Sequence, residues 1–330
     1  MGDLPFFPVE ASTIAGNVDL LMAALISISC LLTSGVVALI AYFSIKYRRG
    51  NAVDRSNPTL SSNKIEFSWI FGLLILSVGT FTWATILYFR IFRPPENPLE
   101  IYVVGQQWMW KFQHTEGPRE INELHIPKDR PIRVIMTSQD VIHSFYVPAF
   151  RVKYDVIPGR YTSIWFEPTK TGTFHIFCAE YCGTQHSEMI GSVIVMEQRE
   201  YADWLSGVQV GAPIAQSGEQ LFSQLGCSNC HAPGTGNIGP SLVGLFGEPV
   251  PLQSGETVIA DENYIRESIL FPKRKIVAGY DPVMPSYEGQ ISEEQLLQLV
   301  EFIKSIGSGS QGAPAHTQAP NEQPQIQPTP

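Results

Sequence analysis

Cys178-Ala-Glu-Tyr-Cys182-Gly-Thr-Gln-His186-Ser-Glu-Met189 sets two thiols, an imidazole and a thioether into one short loop. The β-branched and aromatic run Thr173–Phe177 leads straight into it, so the loop leaves the end of a predicted strand. Soft sulfur with imidazole is the ligand set copper favours, and a thioether argues against zinc. Two cysteines can each bridge two metal ions, which a mononuclear site with a single cysteine cannot do. Spacing alone also fits a disulfide outside the cell. His186 and Met189 at their positions turn the reading toward metal. A dinuclear site needs another imidazole, and a β-sandwich brings it from a distant strand. His143, in Val-Ile-His143-Ser-Phe, is the best candidate. His175 sits mid-strand, and His114 and His125 flank an apparent loop.

Around this loop, residues 99–196 alternate in short segments such as Ile101–Val104, Ile132–Met136, Thr162–Phe166 and Ser192–Met196. Pro-Lys-Asp, Pro-Gly and Lys-Thr-Gly turns separate them, which predicts a β-sandwich or barrel. Upstream, Leu20–Ile45 and Phe67–Phe89 carry no charged side chain. Each is longer than the roughly 20 residues a helix needs to cross a bilayer. Two buried core helices are the plain alternative, and uncharged runs of this length speak against it. The N-terminus is acidic (Asp3, Glu10, Asp19) rather than basic, so the first run reads as a permanent helix and not a cleaved signal. Lys46, Arg48, Arg49, Arg55 and Lys64 outnumber Asp54 and Glu66 between the runs, which puts that loop inside and both termini outside. Arg90 and Arg93, just beyond the second run, pull the other way.

Downstream, a Gly/Pro-containing linker (Gly207 to Pro213) leads into a region with helical signals at both ends. Ser292 and Gln295 form a capping box, followed by Leu296, Leu299, Val300 and Ile303 on one helical face. From Ser308 the chain is Gly, Ser, Pro and Gln with little to bury, and reads as disordered. Cys227-Ser-Asn-Cys230-His231 is a c-type haem attachment pattern: two thiols add to the vinyl groups and the adjacent imidazole reaches the iron. A redox dithiol or half a zinc site would share the C-x-x-C. No second cysteine pair follows, however, and the only later histidine is His316 in the tail. Of seven methionines only Met284 lies beyond the motif, which makes it the candidate second axial ligand. Cys30, alone in an apolar run, reads as packing.

The 330-residue length suits two or three domains. A formal net charge of -9 argues against a nucleic-acid partner. Four of the five cysteines fall in two short clusters, unlike a disulfide framework.

His143-Ser-Phe-Tyr-Val-Pro148 together with Cys178–Met189 closely resembles subunit II of haem-copper cytochrome c oxidases, a likeness running from the first apolar helix to about residue 200. The resemblance implies a cupredoxin-like β-barrel on a two-helix transmembrane hairpin. It implies a dinuclear copper A centre held by His143, Cys178, Cys182, His186 and Met189. Glu180 would give its backbone carbonyl to copper and face its carboxylate to a magnesium ion shared with subunit I; the residue alone reads as a solvated loop acid. The tryptophans of Gln107-Trp108-Met109-Trp110 read by themselves as packing or interface anchors. The resemblance makes Trp108 the point of electron entry and leaves Trp110 structural. Glu66 reads as an interfacial acid at a helix N-terminus. The resemblance puts it at the mouth of a proton path, although Ile70-Phe71-Gly72 departs from the proline many relatives carry after the Trp. Ile238-Gly239-Pro240 and a closing helix with Phe302 resemble small soluble cytochrome c domains, which pack an N-terminal helix (around Gly218 to Leu225) on the C-terminal one.

The expected protein is multidomain. Residues 1–98 carry an N-terminal segment and transmembrane helices at about 18–45 and 66–91. A cupredoxin-like copper A domain spans 99–206, an all-α cytochrome c domain 213–307, and a disordered tail 308–330. By resemblance it is the electron-entry subunit of a terminal respiratory oxidase in a bacterial plasma membrane. Its expected partners are subunit I, subunit III, lipid, and cytochrome c or another small donor. The electron-transfer subunit of a nitric oxide reductase is a second reading. A copper-delivery protein is a third, against which the haem motif speaks, since delivery needs no one-electron relay.

Overall fold

The computed structural model describes residues 7–54, 56, 62–207, 213–231 and 238–306. Asp3, Arg55, the middle of the expected linker and the expected disordered tail with His316 lie outside the described residues. The chain divides into two compact units, residues 1–214 with 291–297, and residues 215–290 with 298–330.

In the first unit, α1 (Ala15–Lys46) and α2 (Asn63–Phe92) form the N-terminal helices. Within them only Ala15, Asp19 and Leu87 are buried. Leu31, Ile75 and Phe81 are 73%, 72% and 71% exposed. Both helices are long and apolar enough to cross a bilayer. Glu66 lies exposed in the first turn of α2.

Two five-stranded sheets make the sandwich. One runs in the order β3 (Arg119–Ile121), β2 (Met109–His114), β1 (Leu99–Gln106), β5 (Ile132–Ser138), β8 (Thr162–Phe166). The other runs β4 (Glu123–Pro127), β10 (Ile190–Met196), β9 (Gly172–Cys178), β6 (His143–Val147), β7 (Val152–Val156). β1 and β5 pair in parallel, as do β4 and β10; the other pairings are antiparallel. The five segments with strong β-branched alternation are all strands. β2, β3, β4, β6 and β7 are short or carry polar residues, and pairing rather than pattern defines them. The segment between His114 and His125, expected as a loop, holds β3 as well as turns, with His114 closing β2 and His125 inside β4.

Trp110, Phe112, Phe145, Phe150 and Phe166, all under 2% exposed, fill the space between the sheets. Each such side chain stabilises the fold by about 1.5–3 kcal/mol relative to exposure. After β10 the chain enters α3 (Gln198–Gly207), which the strand pattern does not announce. Its Tyr201, Trp204 and Leu205 share one helical face and pack on the sandwich core.

The hairpin is tied to the sandwich at its open end. Ala11 N–H donates to the Ala149 carbonyl at 2.9 Å, and Thr169 N–H to the Ala11 carbonyl at 2.9 Å. Ser12 Oγ donates to the Phe150 carbonyl at 2.8 Å, and Trp165 Nε1 to the Arg90 carbonyl at 3.1 Å.

The second unit is helical apart from a two-stranded ribbon, β11 (Pro249–Pro251) with β12 (Thr257–Ile259). Its helices are α4 (Ile214–Gln224) from its second residue on, α5 (Ser228–His231), α6 (Glu262–Leu270) and the later part of α7 (Glu293–Ser305). The capping box forms as expected: Ser292 N–H donates to Gln295 Oε1 at 2.9 Å, and Gln295 N–H to Ser292 Oγ at 3.2 Å. α4 crosses α7 at Gly218, where a Cβ would stand 2.0 Å from the Gln298 carbonyl oxygen. Only glycine permits that approach, and it lets Phe222 and Phe302 meet at 5.2 Å between ring centres.

Candidate metal and haem centres

His143 opens β6, Cys178 closes β9, and the pairing of those strands sets Phe145 opposite Cys178. The loop then turns back on itself: His186 N–H donates to the Gly183 carbonyl at 3.1 Å and Cys178 N–H to the Met189 carbonyl at 3.2 Å. Gly183, at φ +123°, takes a conformation that L side chains rarely adopt.

These turns gather the donors. Cys178 Sγ lies 3.8 Å from Cys182 Sγ and 3.9 Å from His143 Nδ1. Cys182 Sγ lies 3.5 Å from His186 Nδ1 and 3.8 Å from Met189 Sδ. Both thiols are free, so the disulfide reading falls. The Glu180 carbonyl sits 3.2 Å from Cys178 Sγ, while its side chain is exposed. His143 and Met189 are fully buried, the two cysteines nearly so, and His186 is half-buried at the rim. His175 points outward from β9 and joins none of this. Donor atoms of His143, Cys178 and Cys182 all fall within 4.8 Å of one another. Two thiols, two imidazoles and a thioether at such separations fit copper, and the paired sulfurs fit two ions.

Electrostatics favour one thiolate before any metal binds. Burial pushes the Cys178 thiol up, but hydrogen bonding with His143 and with the Glu180 and Ser144 backbone outweighs it and brings the value to about 6. Burial and the neighbouring Cys178 charge push Cys182 up to about 12. Around the donors stands a supporting layer of hydrogen bonds. Asp140 Oδ1 accepts from His143 Nε2 at 2.8 Å, which turns Nδ1 to the cysteines. The Asp-x-x-His spacing was a legible signal for that contact. Gln107 Nε2 donates to the Cys182 carbonyl at 2.7 Å, for which no local pattern exists. Trp108 lies between β1 and β2, half-buried, its indole 3.3 Å from where a Cβ on Gly183 would stand. Trp110 is wholly buried, edge-on to His143 at 6.0 Å and to Phe145 at 5.5 Å.

In the second unit, Cys227, Cys230, His231, Met284, Tyr287 and Leu299 line a largely apolar cavity of about 340 Å³. His231 Nδ1 donates to the Pro240 carbonyl at 2.8 Å, which leaves Nε2 as the lone-pair nitrogen. Gly239 backs the ring so closely that a Cβ would meet His231 Cε1 at 2.9 Å. Thiols, a fixed imidazole and a thioether around one apolar cavity fit a covalent haem with His and Met available to the iron.

A copper-type donor set and a haem-type cavity, on one chain with an apolar helical hairpin, define a membrane-bound electron-transfer protein. Residues 119–198 match the family profile described as the periplasmic domain of cytochrome c oxidase subunit II. Residues 213–303 match the one described as cbb3-type cytochrome c oxidase subunit III. Cytochrome c oxidase subunit 2 of Alkalihalophilus pseudofirmus is 32% identical, over 86% of this chain and 85% of the relative. An alternative cytochrome c oxidase subunit 2 of Bradyrhizobium diazoefficiens is 29% identical, over 52% of this chain and 73% of its own length. A solved periplasmic domain of oxidase subunit II from Bradyrhizobium japonicum is 35% identical over 34% of this chain and 95% of that one, with a TM-score of 0.34. The chain belongs to the cytochrome c oxidase subunit 2 family, here with a cytochrome c domain following the cupredoxin-like one. It is thus part of an oxidoreductase complex, a membrane protein with periplasmic domains of types that imply copper and haem.

Proposed function

We propose that the chain takes electrons from cytochrome c or another small donor and passes them to subunit I of a terminal oxidase, where oxygen is reduced to water with proton pumping. The observation that carries this reading is one chain holding both a two-thiol, two-imidazole, thioether cluster and a C-x-x-C-H cavity with a methionine. Bound in those places, a haem c and a dinuclear copper A supply successive one-electron carriers at low reorganisation cost.

The residues divide the work. Cys227 and Cys230 would hold the haem covalently, and His231 and Met284 would offer an imidazole nitrogen and a thioether sulfur to its iron. His143, Cys178, Cys182, His186 and Met189, with the Glu180 carbonyl, would hold the copper pair. Burial of His143 and Met189 keeps water from it, while half-buried His186 faces the rim. Trp108, packed on the Gly183 turn, is the electron entry to the cluster. The Glu180 carboxylate, exposed beside the cluster, meets a magnesium ion shared with subunit I. Glu66, exposed in the first turn of α2, marks the entrance of a proton path. The chain crosses a bacterial inner membrane twice, with both termini and both redox domains outside, among lipid, subunit I and subunit III. Tethering the haem domain to the copper domain replaces a bimolecular encounter with a high local concentration.

The test is oxygen uptake by the purified complex with reduced cytochrome c. Oxygen consumption that stops when Cys227 and Cys230 are replaced by alanine supports the route. Nitric oxide turnover without oxygen uptake gives the chain to a nitric oxide reductase, and copper transfer to an apoprotein without turnover makes it a delivery protein.

A further inference from the structure

Gln107 stands at the end of β1, exposed and outside the set of metal donors, yet it touches both segments that carry them. Its side-chain Nε2 donates to the Cys182 carbonyl at 2.7 Å. Its backbone N–H donates to Asp140 Oδ2 at 2.7 Å, and the other oxygen of that carboxylate holds His143 Nε2 at 2.8 Å. The Gln107 amide also lies close against the next residue, since a Cβ on Gly183 would stand 2.9 Å from Gln107 Nε2.

We propose that Gln107 is a positioning residue for the metal cluster. Its amide fixes the Cys182 segment, and its backbone fixes His143 through Asp140. The inference rests on the reading of the cluster as a two-copper centre. Cys182 sits in the loop beyond the end of β9, where the pairing of β9 with β6 no longer holds it against His143. Gln107 couples the two from one residue, immediately before Trp108. Loss of its amide frees the Cys182 carbonyl and loosens the loop without removing a ligand.

Three variants of the full chain in its complex test this: Q107M keeps the length without a donor, Q107E sets a carboxylate against the carbonyl, and Q107K restores an N–H donor. Copper per chain, the visible and paramagnetic resonance spectra, and the rate of copper loss to a chelator are measured, with haem content reporting on the fold. Replacing groups that support metal ligands costs about 10- to 100-fold in metal affinity, so Q107M should lose copper at least about 10-fold faster with altered copper hyperfine splitting. Q107E should be worse and Q107K close to the original chain. Unchanged loss rates and spectra in Q107M and Q107E overturn the proposal, as does Q107K behaving like Q107M. An original chain that takes up no copper pair overturns the underlying metal reading instead.

Discussion

Arg151 grips Asp19 through two parallel hydrogen bonds, Nε to Oδ1 and Nη2 to Oδ2, each 2.7 Å. Asp19 is buried near the start of α1, and Arg151 follows the Pro148–Phe150 turn in a left-handed conformation at φ +56°. The guanidinium also donates to the carbonyls of Pro8 at 2.8 Å and Pro148 at 2.5 Å. One side chain thus ties the membrane helix to the copper-type domain.

Removing either partner strands a buried charge. We predict that Asp19→Asn or Arg151→Met lowers the stability of the first unit by about 3–5 kcal/mol. The double variant should lose less than the two single losses added. Chemical unfolding in detergent, followed by tryptophan fluorescence, measures this, and strict additivity would refute the coupling.

For Trp108→Phe, the expected outcome is slower reduction of the copper centre by the donor with its absorption spectrum intact. Stopped-flow reduction of the complex decides it. A reduction rate equal to that of the original chain would remove Trp108 from the route.

Met284→Leu should leave the haem attached, because Cys227 and Cys230 carry the covalent bonds. The oxidised spectrum should lose its sulfur-to-iron band, and the reduction potential should fall, since a methionine ligand raises it. Persistence of the band would place another group on the iron.

Glu120 gives the pH prediction. Burial pushes its carboxyl up, but hydrogen bonds with His114 and with the backbone and ring of His125 overcome that and hold it below the ordinary range. The His114 bond is 2.8 Å, and His114 Nδ1 meets the Tyr201 hydroxyl of α3 at 3.2 Å. A depressed carboxyl contributes stability that is present above its unfolded value and lost as pH falls through the folded one. Glu120→Gln should therefore cost about 1–3 kcal/mol at neutral pH and flatten the acid limb of stability. Melting at neutral and acidic pH checks it; parallel losses in both proteins would contradict the account.

Much of the fold is legible because its signals are local. Uncharged runs predict α1 and α2, alternation over Ile132–Met136 and Thr162–Phe166 predicts β5 and β8, and Ser292 with Gln295 predicts the start of α7. Where pattern is weak the sequence is silent. Pro249 and Pro251 hide β11, since proline cannot donate within a ladder. α3 is hidden because its apolar face holds only Tyr201, Trp204 and Leu205. Asp19 was visible as an acid at the mouth of an apolar run, but its partner lies 132 residues away.

The Cys178–Met189 loop shows the division most clearly. Its donor chemistry and spacing belong to the sequence, because ligand softness and covalent reach do not depend on the rest of the chain. The arrival of His143 from β6 depends on pairing between distant strands. So does the Gln107 amide on the Cys182 carbonyl, 75 residues apart in the chain. Chain entropy makes such distant meetings unfavourable until a packed core holds both strands, so only the tertiary structure decides them.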